Sequence, residues 1–262
     1  MTRLPLTFGC GSLTLAGTLD TAPAETGLLI VSGGNEIRSG AFSGQSLLAA
    51  RIAKAGFPVM RFDRRGVGDS EGENRGFGAS TGDISAAREA FKAIAPQIER
   101  VVAFGNCDAA SALMLAKGAA CDGLVLSNPW TIEEVDTVEE SEAAQPQAIR
   151  ARYAEKLKNP AEIGRLLSGG VNLRKLAEGL MRSFRPAPPP TSLAEDMRTG
   201  LAAFKGSVRI LLAERDRTAQ MFDSHWDPND ARVSRCAGAD HAFSTDEHQK
   251  WLTDQLLAAL RR

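Results

Sequence analysis

The chain holds one cysteine in a setting that could turn it into a nucleophile. The run Val101-Val102-Ala103-Phe104-Gly105-Asn106-Cys107-Asp108-Ala109-Ala110-Ser111 reads as a buried strand, a turn of small residues and a helix from about Asp108. This is the layout of a nucleophile elbow, in which a strained turn lifts the reactive side chain to the top of a sheet. The usual pattern is G-x-S-x-G, and here it is Gly105-Asn106-Cys107-Asp108-Ala109. Cysteine replaces serine, and Ala109, small enough for the site, replaces the second glycine. A helix N-terminus and a neighbouring imidazole both favour thiolate, the form that attacks. The competing reading makes Cys107 a small buried hydrophobe.

Such a nucleophile needs a base, and there are three histidines: His225, His241 and His248. His241 sits in the small-residue loop Cys236-Ala237-Gly238-Ala239-Asp240-His241, between a strand and the last helix, where flexible backbone can aim a ring at the sheet edge. His248 falls inside the terminal helical pattern as a solvated side chain, and His225 reads as a surface residue. The base in turn needs an orienting carboxylate. Asp216 directly follows the strand Val208 to Ala213, at its C-terminal end, with Asp223 and Asp227 as competitors.

The elements that must position these residues follow from hydrophobic patterning. Leu4 to Phe8 and Leu13 to Leu19, joined by Gly9-Cys10-Gly11-Ser12, read as a hairpin. Gly27 to Ser32, Pro58 to Asp63, Arg100 to Gly105 and Gly123 to Asn128 alternate with helical patterns, the rhythm of a parallel sheet wound with helices. Val208 to Ala213 and Arg232 to Cys236 add two strands. Ser244 with Glu247 forms a capping box before a final helix through Leu260.

From Trp130 to about Phe204 the strand rhythm stops and apolar residues recur at spacings of three and four, which predicts a helical cap over residues 131–204 inserted into a core of 1–130 and 205–262. Pro186-Ala187-Pro188-Pro189-Pro190 is a stiff connector, and Ser192 with Glu195 is a second capping box. Charge is segregated along the cap. Six acids between Glu133 and Glu142 come first; Arg150 to Arg185 then holds nine bases against three acids.

The order Cys107, Asp216, His241 matches the nucleophile, acid, histidine order of the α/β-hydrolases. Asp63-Arg64-Arg65-Gly66-Val67-Gly68-Asp69-Ser70 is similar to that superfamily's D-x-R-G-x-G-x-S turn, a structural device in which Asp63 packs and the glycines serve the backbone. The resemblance covers residues 1–130 and 205–262. It implies an α/β-hydrolase fold, a mostly parallel sheet flanked by helices with an inserted helical cap. More narrowly, S-G-G-N-E-I-R-S-G, F-D-R-R-G-V-G-D-S-E-G and G-N-C-D-A together resemble the exosortase A system-associated hydrolases, encoded beside bacterial exopolysaccharide and protein-sorting genes. The implied oxyanion hole uses two backbone N–H groups, one on Asp108 and one in Ser32-Gly33-Gly34-Asn35-Glu36, at Asn35 or else Gly34.

Expected from this is hydrolysis of an ester or thioester through an acyl-cysteine, with no metal or cofactor, on a small-molecule or carrier-bound acyl substrate. Two alternatives stay open. One is acyl transfer from the same acyl-cysteine, since thioesters are readily intercepted by a hydroxyl or amine. The other is a pseudo-hydrolase that binds an acyl or glycan ligand, or a partner protein, without turnover. The 262 residues carry 31 Lys and Arg against 32 Asp and Glu, a formal charge of -1 that offers no field for steering toward nucleic acid. No apolar run approaches the ~18 residues of a membrane span and the start lacks a signal-peptide core, so a cytoplasmic protein without membrane insertion is expected. The four cysteines show neither disulfide nor zinc spacing.

The basic half of the cap either selects anionic substrates or pairs with the acidic stretch before it, and salt separates the two. If it selects, KM for an anionic ester rises as the screening length falls from ~10 Å at 0.1 M to ~3 Å at 1 M, while KM for a neutral ester stays constant. Reversal of Arg174 and Lys175 to Glu reproduces that selective loss. Identical responses of the two esters exclude the cap from substrate choice.

Overall fold

A computed structural model of the chain describes residues 1–131 and 192–262. The expectations for Glu133 to Glu142, for the bases from Arg150 to Arg185 and for the proline connector lie outside these residues. Eight strands form one sheet: β1 (Arg3–Cys10), β2 (Leu13–Asp20), β3 (Thr26–Val31), β4 (Val59–Phe62), β5 (Arg100–Asn106), β6 (Gly123–Ser127), β7 (Ser207–Ala213) and β8 (Val233–Cys236). Their order is β1-β2-β4-β3-β5-β6-β7-β8. β1 and β2 pair antiparallel, β2 meets β4 antiparallel, and every pair from β4 to β8 is parallel. The hairpin turn is tighter than the sequence suggested. Cys10 pairs with Leu13, leaving Gly11, at φ 60°, and Ser12 as the whole loop.

The central parallel strands β3, β5 and β6 read as apolar runs because both faces are covered. Leu29 and Val31 of β3, with Val101 and Ala103 of β5, face one core; Leu28 and Ile30, with Val102 and Phe104, face the other. The first core is closed by α2 (Thr81–Ile94), α3 (Asp108–Leu115), α4 (Ser192–Ala203) and α5 (Arg217–His225). The second is closed by α1 (Gly44–Lys54) and α6 (Asp246–Leu260). The sheet is therefore wound on both sides, and the loops leaving the C-terminal ends of β3, β5, β7 and β8 share one edge.

Two expectations need correction. Residues 192–204 fall in the range expected to form the cap, yet Met197 and Leu201 of α4 are buried in the first core and Gly200 abuts the Met114 carbonyl, so α4 packs on the core. The final helix is capped by Thr245, whose Oγ1 accepts from the His248 N–H at 3.2 Å. Ser244, one residue earlier, turns back instead, donating its N–H to Asp240 Oδ1 at 2.9 Å and its hydroxyl to the other oxygen of the same carboxylate.

The D-x-R-G-x-G-x-S turn is structural, as expected, but through buried charge rather than apolar packing. Asp63, fully buried, accepts from the Arg38 N–H and guanidinium and from the Asp69 N–H at 3.1 Å. Gly68 sits at φ 56°, where a Cβ would lie 2.4 Å from the Asp63 carboxylate. Next door, Arg64 donates to the Gly34 carbonyl and to Ser80 Oγ at 3.2 Å. The turn after β4 thus holds the loop after β3. Asp63→Ala should cost about 1–3 kcal/mol, because it removes the buried acceptor of the Arg38 and Asp69 N–H groups, while the Arg38 guanidinium keeps Asp69. A urea midpoint within experimental error of the parent would contradict that role.

Candidate active site

The structure brings Cys107, His241 and Asp216 together at the shared sheet edge. Cys107 caps the N-terminus of α3 with φ 61° and ψ −130°, a left-handed backbone that costs a non-glycine residue of order 1–3 kcal/mol. The turn is held by the Cys107 N–H donating to the Ser127 carbonyl at 2.9 Å, while the Cys107 carbonyl accepts from Ala110 N–H at 3.1 Å. The glycine two residues before Cys107 has a steric reason. A Cβ on Gly105 would lie 2.6 Å from the Ala109 carbonyl carbon, so strand and helix cross too closely for any side chain there. At position 109 a methyl group fits, fully buried.

Asp216 is the N-cap of α5. Its Oδ2 accepts from the Ala219 N–H at 3.1 Å and from His241 Nδ1 at 2.9 Å. Capping fixes the carboxylate before the imidazole arrives. The histidine loop is pinned rather than loose: Arg215 N–H donates to the Ala239 carbonyl at 2.9 Å, and Asp240 is tied to Ser244. Phe243, at φ 52°, is buried and stacks on Trp251 with centroids 5.9 Å apart. The hydrogen bond to Asp216, then that to Cys107, raises the His241 pKa from 6.5 to about 10 against the opposing effect of burial. Both partners thus favour the charged, imidazolium form of the ring.

The competing candidates are engaged elsewhere. Asp223 pairs with Arg235 at 2.6 Å, and Asp227 Oδ1 accepts from Asn229 N–H at 2.9 Å. His225 ends α5 with Nδ1 at 2.9 Å from the Met221 carbonyl. His248 is half-buried rather than solvated, its Nδ1 shielded and without a hydrogen-bond partner among the described residues. Burial raises the pKa of the other three thiols, Cys121 to about 12.

The oxyanion donors stand differently from expectation. Asp108, as the first residue of α3, has an N–H with no intrahelical acceptor, free to meet a substrate oxygen. Gly34 lines the cavity, but its N–H donates to Asp108 Oδ1 at 2.6 Å, and Arg64 pairs with Asp108 Oδ2 at 3.3 Å. In this arrangement Gly34 is not a free donor. Asn35 is exposed, its side-chain oxygen accepts from Asn74 Nδ2 at 2.7 Å, and it lies outside the cavity wall. The sequence carried one signal for this arrangement, an acid directly after Cys107.

Cys107 and His241 open onto a cavity of about 300 Å³, a size suited to a small ligand. Val31, Leu48, Phe104, Phe243 and Leu252 make much of its wall apolar. It reaches between α1 and α6, beneath the loop after β3, and can hold an apolar group beside the sulfur.

Comparison with known proteins agrees with this architecture. A model of the alpha/beta hydrolase family matches residues 28–255. No curated protein matches the sequence. Among solved structures, an esterase of Pyrococcus furiosus superposes with a TM-score of 0.61 at 14% identity, covering 99% of this chain and 93% of its own. The alpha/beta hydrolase GrgF of Penicillium sp. sh18 gives 0.64 at 16% identity, with both chains fully covered. Est1E of Butyrivibrio proteoclasticus, solved with ferulic acid, gives 0.58 at 12% identity over 98% of this chain and all of its own. Identities this low establish the shared fold alone.

The raised pKa of His241 fixes a sign for pH dependence. The charged pair it forms with Asp216 contributes to stability fully below about 6.5 and loses that contribution as pH rises through about 10. The urea midpoint should therefore decline over that window, and His241→Gln should abolish that part of the decline. A parent and variant with parallel profiles would show that the ring is not held as an imidazolium.

Proposed function

We propose that this chain, which belongs to the alpha/beta hydrolase family, cleaves an ester or thioester through an acyl-cysteine intermediate. The observation that carries the reading is the continuous line from Cys107 through His241 to Asp216, closed by the 2.9 Å bond between Nδ1 and the carboxylate. In the first half-reaction the sulfur attacks the acyl carbonyl and the oxyanion meets the Asp108 N–H. The carbon–oxygen or carbon–sulfur bond to the leaving group breaks as that group takes the proton from His241. In the second, neutral His241 removes a proton from water as it attacks the thioester, and the Cys107 sulfur departs with the imidazole protonated again. Asp216 holds the ring in one tautomer and stabilises its charge.

The apolar cavity supports a small-molecule or carrier-bound acyl group as substrate. The resemblance of the glycine loop, the arginine turn and the elbow to the exosortase A system-associated hydrolases supports a bacterial hydrolase that works in the cytoplasm. Cysteine rather than serine suits a protonated base. An imidazolium cannot take a proton from a hydroxyl, but it can stand beside a thiolate and deliver its proton to a leaving group.

The test is a panel of aryl esters and acyl thioesters. Cys107→Ala should lower turnover by roughly 10³-fold or more, and Cys107→Ser should also fall steeply, because the hydroxyl meets a base that already carries its proton. Replacement of Cys10, Cys121 or Cys236 should leave kcat within about twofold. Near-parental activity in Cys107→Ala would overturn the mechanism.

A further inference from the structure

Two asparagines that the proposed chemistry does not use converge on the backbone of the base. The His241 carbonyl accepts from Asn106 Nδ2 at 3.2 Å and from Asn128 Nδ2 at 3.3 Å. Asn128 Nδ2 also donates to Asn106 Oδ1 at 3.0 Å, so the two amides are tied to each other. The remaining polar atom of Asn128, Oδ1, accepts from the Ala213 N–H at 2.8 Å, and its own N–H donates to the Leu211 carbonyl at 2.9 Å. Both ends of its side-chain amide and its backbone N–H are thus engaged.

The elements joined are the ones that carry the site. Asn106 is the last residue of β5, immediately before Cys107. Asn128 follows β6, and its partners Leu211 and Ala213 lie on β7, whose end is three residues before Asp216. His241 lies on the loop after β8. The amide pair therefore touches the strand of the nucleophile, the strand of the acid and the loop of the base. Asn128 has no exposed surface and sits at φ 44°, a left-handed conformation that asparagine adopts more readily than most residues. An asparagine buried to this degree is costly unless its amide is bonded, and a residue whose only duty is to end a strand does not require one.

The physical need is clear from the ring. Its Nδ1 bond to Asp216 sets where the imidazole points, and the Arg215–Ala239 and Asp240–Ser244 bonds pin the loop near the ring, but none of these ties the His241 main chain to β5. Reaching Cys107 and Asp216 at once requires the His241 main chain to be fixed relative to β5 and β7 together. We propose that Asn106 and Asn128 form an amide clamp on the His241 carbonyl and act as positioning residues for the site. The proposal rests on the reading of Cys107, His241 and Asp216 as a triad.

Asn106→Ala removes one of the two donors at a partly exposed position, Asn106→Asp keeps its size but sets a carboxylate against the carbonyl, and Asn128→Gly permits the left-handed backbone without the amide. Each should lower kcat for an aryl ester by roughly 10- to 100-fold, the scale of a misplacement near 1 Å, with KM within about twofold. A second readout needs no turnover. The His241 ring resonances, assigned by their loss in His241→Gln, should titrate with a midpoint shifted from about 10 toward 6.5 as the Asp216 bond loosens. A role confined to stability would lower the melting point and leave that midpoint in place. If Asn128→Gly does not fold, the two Asn106 variants decide. An unchanged kcat with an unchanged midpoint in those variants, or a loss confined to KM, overturns the clamp. A parent without esterase activity would refute the functional reading, while the titration would still judge the clamp.

Discussion

The left-handed backbone of Cys107 is the constraint on which the rest of the site depends. A side chain at φ 61° is unfavourable by itself and persists because its surroundings over-determine it. Gly105 lets α3 cross β5 at a distance no Cβ would survive, Ala109 fills the gap on the helix side, and the Ser127 carbonyl takes the Cys107 N–H. With the turn fixed, the sulfur stands above the sheet edge and the first N–H groups of α3 lie beside it. Those two consequences, a half-buried thiol at the sheet edge and a site of positive potential, come from one local geometry.

Buried charge supplies the second layer of order. Arg38, Arg64 and Asp63 stitch the loop after β3 to the turn after β4, and Arg64 continues through Asp108 to the elbow. Such pairs contribute little net stability compared with apolar packing, yet they fix geometry, because breaking one strands a charge. The same network explains why the glycine of the β3 loop offers its N–H to Asp108 and not to the cavity. The electrostatics beside the N-terminus of α3 are thus set by a carboxylate and a guanidinium as well as by backbone amides.

Much of this was legible in the sequence, and the reasons differ by residue. The parallel strands at the centre of the sheet announced themselves as short apolar runs, and the antiparallel β1 and β2 by the small-residue turn between them. Cys107, Asp216 and His241 were found because each directly follows or shortly precedes an identifiable element, which places it on the same edge. What escaped depends on three-dimensional contact. Ser244 and Thr245 are equally good caps by type, and only the engagement of Ser244 with Asp240 decides between them. The place of α4 in the core is set by packing on α3, which periodicity cannot express. Asn106 and Asn128 carry no motif. Their 22-residue separation closes only through the pairing of β5 with β6.

The central claim is that Cys107 carries the acyl group, and it is tested most directly by acid-quenched intact-mass analysis during turnover of an aryl ester. The account predicts a transient adduct equal to the acyl group, located on the peptide containing Cys107 and discharged by hydroxylamine. An adduct on another residue, or steady turnover with no adduct under conditions where deacylation limits the rate, would contradict it.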